Sequence, residues 1–162
     1  MSRSDVNTNL ITEKVEKYSD LLLRVAFSYM KNTHDAQDMV QDAFIKVMQK
    51  CPLFESEEHE RAWLIRVTIN LCKNRLKSAW FRKTGPLEED TLLFTPEEDQ
   101  VLEVVLELPV KYRCVIQLYY YEGYQIKEIA GILGCKDATV ASQLLRARKQ
   151  LKIKLKEDFD YE

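Results

Sequence analysis

Residues 121–155, YEGYQIKEIAGILGCKDATVASQLLRARKQLKIKL, constrain this chain more than any other stretch. Ile126, Ile129, Ala130 and Leu133 recur at three- and four-residue spacings, which predicts a short helix over 125–133 with one apolar face. Gly134-Cys135-Lys136 makes a tight turn, because glycine enters the positive-φ conformation that ends a helix without a Cβ clash. Asp137 then stands where an N-cap is expected. A second helix follows, with Val140, Leu144, Ala147, Leu151 and Leu155 on its inner face and Ser142, Arg146 and Lys149 opposite. Two helices about a glycine turn, the second polar and basic outside, are the parts of a helix-turn-helix that lays its second helix in a DNA major groove. A helical hairpin with a solvated basic face has the same pattern, so the rest of the chain must decide between them.

The charge distribution bears on that choice. The net charge of −2 by itself argues against a nucleic-acid partner. Arg61, Arg66, Lys73, Arg75, Lys77, Arg82 and Lys83 nevertheless fall in a stretch with no acid. Lys136, Arg146, Arg148, Lys149, Lys152, Lys154 and Lys156 are opposed only by Asp137. Between these patches, residues 86–108 carry Glu88, Glu89, Asp90, Glu97, Glu98, Asp99, Glu103 and Glu107 and no base. Screening confines a charge's field to about 10 Å, so a polyanion meets local patches and not the net charge. Two basic patches separated by an acidic stretch suit one ligand gripped at two places.

From the N-terminus, residues 9–31 read as a helix with Val15, Tyr18, Leu22, Val25, Ala26 and Tyr29 inward. Thr33 is the expected N-cap of a second helix over 35–50, whose stripe is Ala36, Met39, Val40, Ala43, Phe44, Val47 and Met48. Its outward face is Asp38, Gln41, Asp42 and Ile45: a solvated surface, or a docking surface for a basic partner. Cys51-Pro52 ends it, since the residue before proline is pushed out of the right-handed α region. A third helix over 57–81 turns Leu64, Val67, Thr68, Leu71 and Cys72 inward. Arg66, Asn70, Lys73 and Lys77 line its other side, with Trp63 and Asn74 beside them. Cations bind phosphate, asparagine hydrogen-bonds a base edge, and tryptophan stacks on an unpaired base, so this face suits melted DNA better than an intact groove. The alternative is that Trp63 is core and the cations are solvated. Arg75 points toward the core side, which makes it an expected ion-pair partner for an acid on the second helix. Trp80 and Phe81 beside Arg82 and Lys83, in a loop from 78 onward, repeat the aromatic-plus-basic composition.

Residues 84–96, with Gly85-Pro86 and much of the acidic run, read as a linker. Thr95, Pro96, Glu97 and Glu98 then form a helix start, with a cap, a proline at the first position and acids near the positive dipole end. Val101, Leu102, Val105 and Leu108 are its stripe, and Pro109 stops it. Another helix covers 112–121 with Val115, Leu118 and Tyr119 inward, ahead of the helix-turn-helix, and residues 157–162 form an acidic tail. The expected fold is therefore all-α: two small helical domains, 9–83 and 97–156, joined by a flexible linker over 84–96, the second a four-helix domain containing the helix-turn-helix. Cys51, Cys72, Cys114 and Cys135 are scattered, and His34 and His59 lie near no cysteine pair, which argues against a zinc site. No glycine-rich phosphate loop, nucleophile–base arrangement or metal-ligand set stands out, so no enzyme, no small-molecule substrate, no cofactor and no metal is expected. No apolar run has transmembrane length and the N-terminus has no signal-peptide core, so the expected location is the cytoplasm, without membrane insertion.

Three segments in order, DAQDMVQDAFIKVMQ, RAWLIRVTINLCKNRLKS and LPVKYRCVIQLYYYEGYQIKEIAGILGCKDATVASQLLRARKQLK, closely resemble a bacterial RNA polymerase sigma factor of the extracytoplasmic-function group of the sigma-70 family. The resemblance spans about residues 15–155. It implies a transcription initiation factor that binds core RNA polymerase, at its clamp coiled coil and flap, and directs it to promoters. Asp38, Gln41, Asp42 and Ile45 would meet the core enzyme. Trp63, Arg66, Asn70, Lys73, Asn74, Lys77, Trp80, Arg82 and Lys83 would recognise and melt the minus-ten element, the loop over 78–83 capturing a flipped base. Lys136, Thr139, Ser142, Gln143, Arg146 and Lys149 would read the minus-thirty-five element as duplex. Family members often carry Lys and Arg where this chain has Ala141 and Gln143, which implies fewer phosphate contacts or a different base preference. The resemblance also implies an anti-sigma partner that holds the chain inactive, often from the membrane. The rival readings are an autonomous helix-turn-helix regulator that binds as a dimer, and a helical scaffold with no DNA role.

Overall fold

The computed structural model describes the backbone of residues 3–82 and 96–159, and side-chain surroundings over 9–78 and 101–156. The chain divides into two units, Met1–Glu88 and Glu89–Glu162, and no strand occurs among the described residues. The fold is all-α, as the spacing predicts. The linker expected over 84–96 lies outside the described backbone up to its final residue, Pro96.

The first unit is three helices, α1 (Arg3–Met30), α2 (Thr33–Lys50) and α3 (Glu57–Arg82), each packed on the other two. Its core is Leu22, Val25, Ala26 and Tyr29 from α1, Ala36, Met39, Ala43 and Val47 from α2, and Leu64, Ile65, Ile69 and Cys72 from α3. Each fully buried aliphatic side chain here contributes about 1.5–3 kcal/mol. Thr68 joins this core because its hydroxyl donates to the Leu64 carbonyl at 2.8 Å.

Several expectations need correction. Val15 is exposed, and so is Met48 at 57%, at the open end of the stripe beside a groove that Leu10 and Ile11 also line. On α3 the buried pair is Ile65 and Ile69, while Val67 and Leu71 are only half-buried, so the inner face is rotated from the expected one. The N-cap of α2 is Asn32 and not Thr33: its side-chain oxygen accepts from the Asp35 N–H at 2.9 Å. Cys51 leaves α2 before Pro52 as expected, but in the left-handed region at φ 43°, a conformation that costs a non-glycine residue about 1–2 kcal/mol. The loop expected from 78 is helical: α3 continues to Arg82.

The second unit comprises α4 (Pro96–Leu106), α5 (Val110–Ile116) continuing into a π-helical turn (Gln117–Tyr121), α6 (Ile126–Leu133) and α7 (Asp137–Phe159). The long helix α7 packs on α4, α5 and α6. Leu102, Val104, Val105, Leu108, Val115, Leu118, Ile129, Ile132, Val140, Leu144 and Ala147 form its core. Val104 takes the place expected for Val101, which is 45% exposed. Buried Arg113 donates to the Leu108 carbonyl at 2.8 Å, fastening α5 beneath the end of α4. Gln125 caps α6 in a reciprocal box, its N–H donating to Glu128 at 3.0 Å. Gly134 ends α6 at φ 69°, as its place in the turn requires. Asp137 is not an N-cap but the first helical residue of α7; the Lys136 carbonyl accepts from the N–H groups of Thr139 and Val140. The acidic tail is helical as far as Phe159.

Candidate nucleic-acid interface

In the second unit, the glycine turn presents one side of α7 to solvent. Lys136, Thr139, Ser142, Arg146 and Lys149 are all exposed there, and Gln143 is half-buried at the edge of the same face. The buried stripe of Val140, Leu144 and Ala147 holds the opposite side of the helix down. All six residues expected to read duplex DNA are thus on one surface, with hydroxyl and amide groups between cations. Hydroxyl and amide groups of this kind can hydrogen-bond base edges, and cations bind phosphate.

Not every cation of this region belongs to that surface. The Arg148 Nε donates to the Tyr120 hydroxyl at 2.6 Å, and its guanidinium carbon lies 5.5 Å and 5.6 Å from the ring centres of Tyr119 and Tyr120. Lys154 pairs with Glu107 at 2.9 Å. Both cations count in the linear charge of residues 136–156, yet both are spent inside the unit. Their engagement was invisible in the sequence because neither Tyr120 nor Glu107 lies near them along the chain.

In the first unit, Arg66, Asn70, Lys73, Asn74 and Lys77 are exposed along one side of α3. Trp63 is half-buried, its ring edge-to-face with Phe54 at 5.5 Å. It is therefore part core and part surface, between the two readings of the sequence. The side chains of Trp80 and Arg82, and all of Lys83, lie outside the described residues.

On α2, Gln41, Asp42 and Ile45 are exposed in line, with Ile45 at 47%. Asp38 is half-buried and engaged: Arg75 lies 3.6 Å from it and 3.7 Å from Asp35, and His34 lies 3.6 Å from it. Arg75 does pair with acids of the second helix, though it is exposed and not on the core side. His34, Asp35 and Asp38 bring ligating atoms within 4.8 Å of one another, but the Arg75 guanidinium already supplies the positive charge beside both carboxylates. The apolar surface also runs further than expected. Met48 stands one turn beyond Ile45, and a groove of about 500 Å³ is lined by Leu10, Ile11, Lys14, Met48, Cys51 and Leu53. Met48 was hidden because its spacing also fits the buried stripe.

An ion cluster fastens this unit. Glu60 on α3 accepts from Lys14 and, at 2.8 Å, from the Tyr18 hydroxyl on α1; Lys17 pairs with Glu57. Burial would raise the Glu60 carboxyl, but hydrogen bonds from Lys14 and Tyr18 and the charges of Lys14 and Lys17 outweigh it and hold the group below its ordinary value of 4.5.

Residues 15–82 match the family model for sigma-70 region 2, and residues 98–151 that for sigma-70 region 4. RNA polymerase sigma factor SigV of Bacillus subtilis is 27% identical, the alignment covering 98% of this chain and 99% of SigV. The extracytoplasmic-function sigma factor SigM of Mycobacterium tuberculosis is 30% identical over 80% of this chain and 69% of its own length. Among solved structures, CnrH, in complex with the cytosolic domain of CnrY, matches with a TM-score of 0.69 and 25% identity, over 93% of this chain and 90% of CnrH.

Proposed function

The chain belongs to the sigma-70 family, in its extracytoplasmic-function group, and is a transcription initiation factor and not an enzyme; from that premise we propose how its surfaces divide the work. The observation that carries the reading is the presence of two different polar-basic helix faces on two units. The face of α3 interleaves Asn70 and Asn74 with Arg66, Lys73 and Lys77 and receives the melted strand of the minus-ten element. The helix-turn-helix face of α7, from Lys136 to Lys149, reads the minus-thirty-five element as duplex. Trp63, Trp80, Arg82 and Lys83 complete the minus-ten surface.

The α2 face of Gln41, Asp42 and Ile45 docks core RNA polymerase. Asp38, held by Arg75, shapes the edge of this face more than it adds charge. Exposed Met48 and Leu53 extend its apolar part. A second protein, an anti-sigma factor, holds the chain inactive; the likeness to CnrH, solved with a cytosolic domain of another protein, supports such a partner. The site of action is the bacterial cytoplasm, in keeping with described helices of which none is long and apolar enough to cross a membrane.

The test is promoter binding by the chain alone and with core polymerase, over a range of salt. The reading expects weak, salt-sensitive binding by the free chain and tight, site-specific binding by the complex. Equally tight and specific binding by the free chain as a dimer would replace it with the autonomous regulator.

A further inference from the structure

The seven cations between residues 136 and 156 do not all face one way. Arg148 follows Arg146 by two residues, which places it about 200° around the helix from that residue. It meets the π-helical turn, where Tyr119 and Tyr120 stand edge to face with ring centres 4.9 Å apart. A π turn makes i→i+5 bonds, here from the Glu122 N–H to the Gln117 carbonyl at 3.1 Å. Its wider winding brings adjacent side chains closer in direction than an α turn does, so two consecutive tyrosines serve one guanidinium. The turn is itself held: Leu118 is fully buried, and buried Gln117 donates to Glu122 at 3.2 Å.

The Arg148 contact adds a directional restraint on rotation at the middle of α7, as the Lys154–Glu107 pair does nearer its C-terminal end. Its midsection meets the unit through Val140, Leu144 and Ala147, a narrow apolar stripe with a small residue in it. Apolar contact is non-directional, so such a stripe fixes the depth of a helix better than its roll. A roll of ~10° would move a side-chain tip about 6 Å from the axis by about 1 Å. That displacement spoils a hydrogen bond to a base edge, whose useful range is a few tenths of an ångström. A directional 2.6 Å bond from Arg148, off the stripe, opposes such a roll at the level of the reading residues.

We infer that Tyr120 and Arg148 are positioning residues for upstream-element specificity: their contact sets the roll of α7 and so decides which base edges Thr139, Ser142, Gln143 and Arg146 reach. This rests on the reading of α7 as the upstream reader. Neither residue touches DNA in this scheme.

The test uses the full chain with core polymerase on a promoter pool whose upstream element is randomised, with sequencing of the transcripts. Tyr120→Phe, which removes only the hydroxyl, lowers upstream base discrimination about fivefold, with the second unit still folded by circular dichroism and the downstream preference unchanged. Arg148→Lys, which keeps the charge but not the planar guanidinium beside the two rings or its Nε donor, fails to restore what Arg148→Gln loses; a phosphate contact would be restored. In an Arg146→Ala background, Tyr120→Phe has no further effect at the base that Arg146 reads, as expected of a residue acting through another. Full discrimination in Tyr120→Phe, or rescue by Arg148→Lys, overturns the inference. If Arg146→Ala also leaves every upstream preference intact, α7 is not the upstream reader, and the inference falls with that reading.

Discussion

Replacing Glu60 by glutamine tests the packing of α1 on α3, on which the α3 face depends. Glutamine keeps the shape and removes the charge that Lys14 and Tyr18 address. A net hydrogen bond to a charged group stabilises by about 1.5–3 kcal/mol, and an exposed ion pair adds 0–1. Glutamine retains part of the bonding, so the expected loss at pH 7 is about 1–3 kcal/mol. The pH dependence follows from the lowered Glu60 pKa. The unfolded chain binds the proton more readily than the folded one, so stability rises with pH through this range. The contribution is complete above the ordinary value of 4.5 and is lost as pH falls through the lower, folded value. Both tryptophans, Trp63 and Trp80, lie in the unit Met1–Glu88, so tryptophan fluorescence in urea reports that unit alone. Wild type and Glu60→Gln should differ at pH 7 and converge as the solution is acidified below 4.5. An equal difference at every pH, or none at pH 7, would refute the assignment of the stabilisation to this carboxylate.

Three further outcomes are expected. Ile45→Asp places a charge in the exposed apolar part of α2 and should lower affinity for core polymerase at least tenfold in a pull-down titration, with circular dichroism unchanged, since Ile45 is 47% exposed and is not among the buried core residues. Neutralising Arg66, Lys73 and Lys77 together should reduce the salt slope of single-stranded DNA binding by the polymerase complex by about 2, near 0.7 per lost phosphate contact. Leu144→Ala, at a site 1% exposed, should destabilise the second unit by about 2–5 kcal/mol in a thermal melt followed by circular dichroism.

The glycine turn, the second helix of the helix-turn-helix and the polar face of α3 were legible because each rests on local rules: a period near 3.6, and a positive φ that glycine supplies at Gly134. What was not legible rests on contacts distant in sequence. Met48 and Ile65 both fit an apolar stripe, and only the positions of neighbouring helices decide that Met48 is exposed and Ile65 buried. Asn32 and Thr33 are both competent caps; the geometry that closes on Asp35 selects Asn32. Arg75 does pair with acids of α2, though from an exposed position and not from the core side that suggested the pairing, and the spending of Arg148 on Tyr120, 28 residues away, could not be read from a run of cations.

The central claim is that this chain gives core polymerase its choice of promoter. Run-off transcription from a pool of genomic fragments, with core polymerase in the presence and absence of the chain, tests it most directly. The account expects a new, limited set of start sites that appear only with the chain and share two upstream elements at fixed spacing, the outer one read less selectively at one base in Arg146→Ala. A set of transcripts identical to that of core polymerase alone would contradict it.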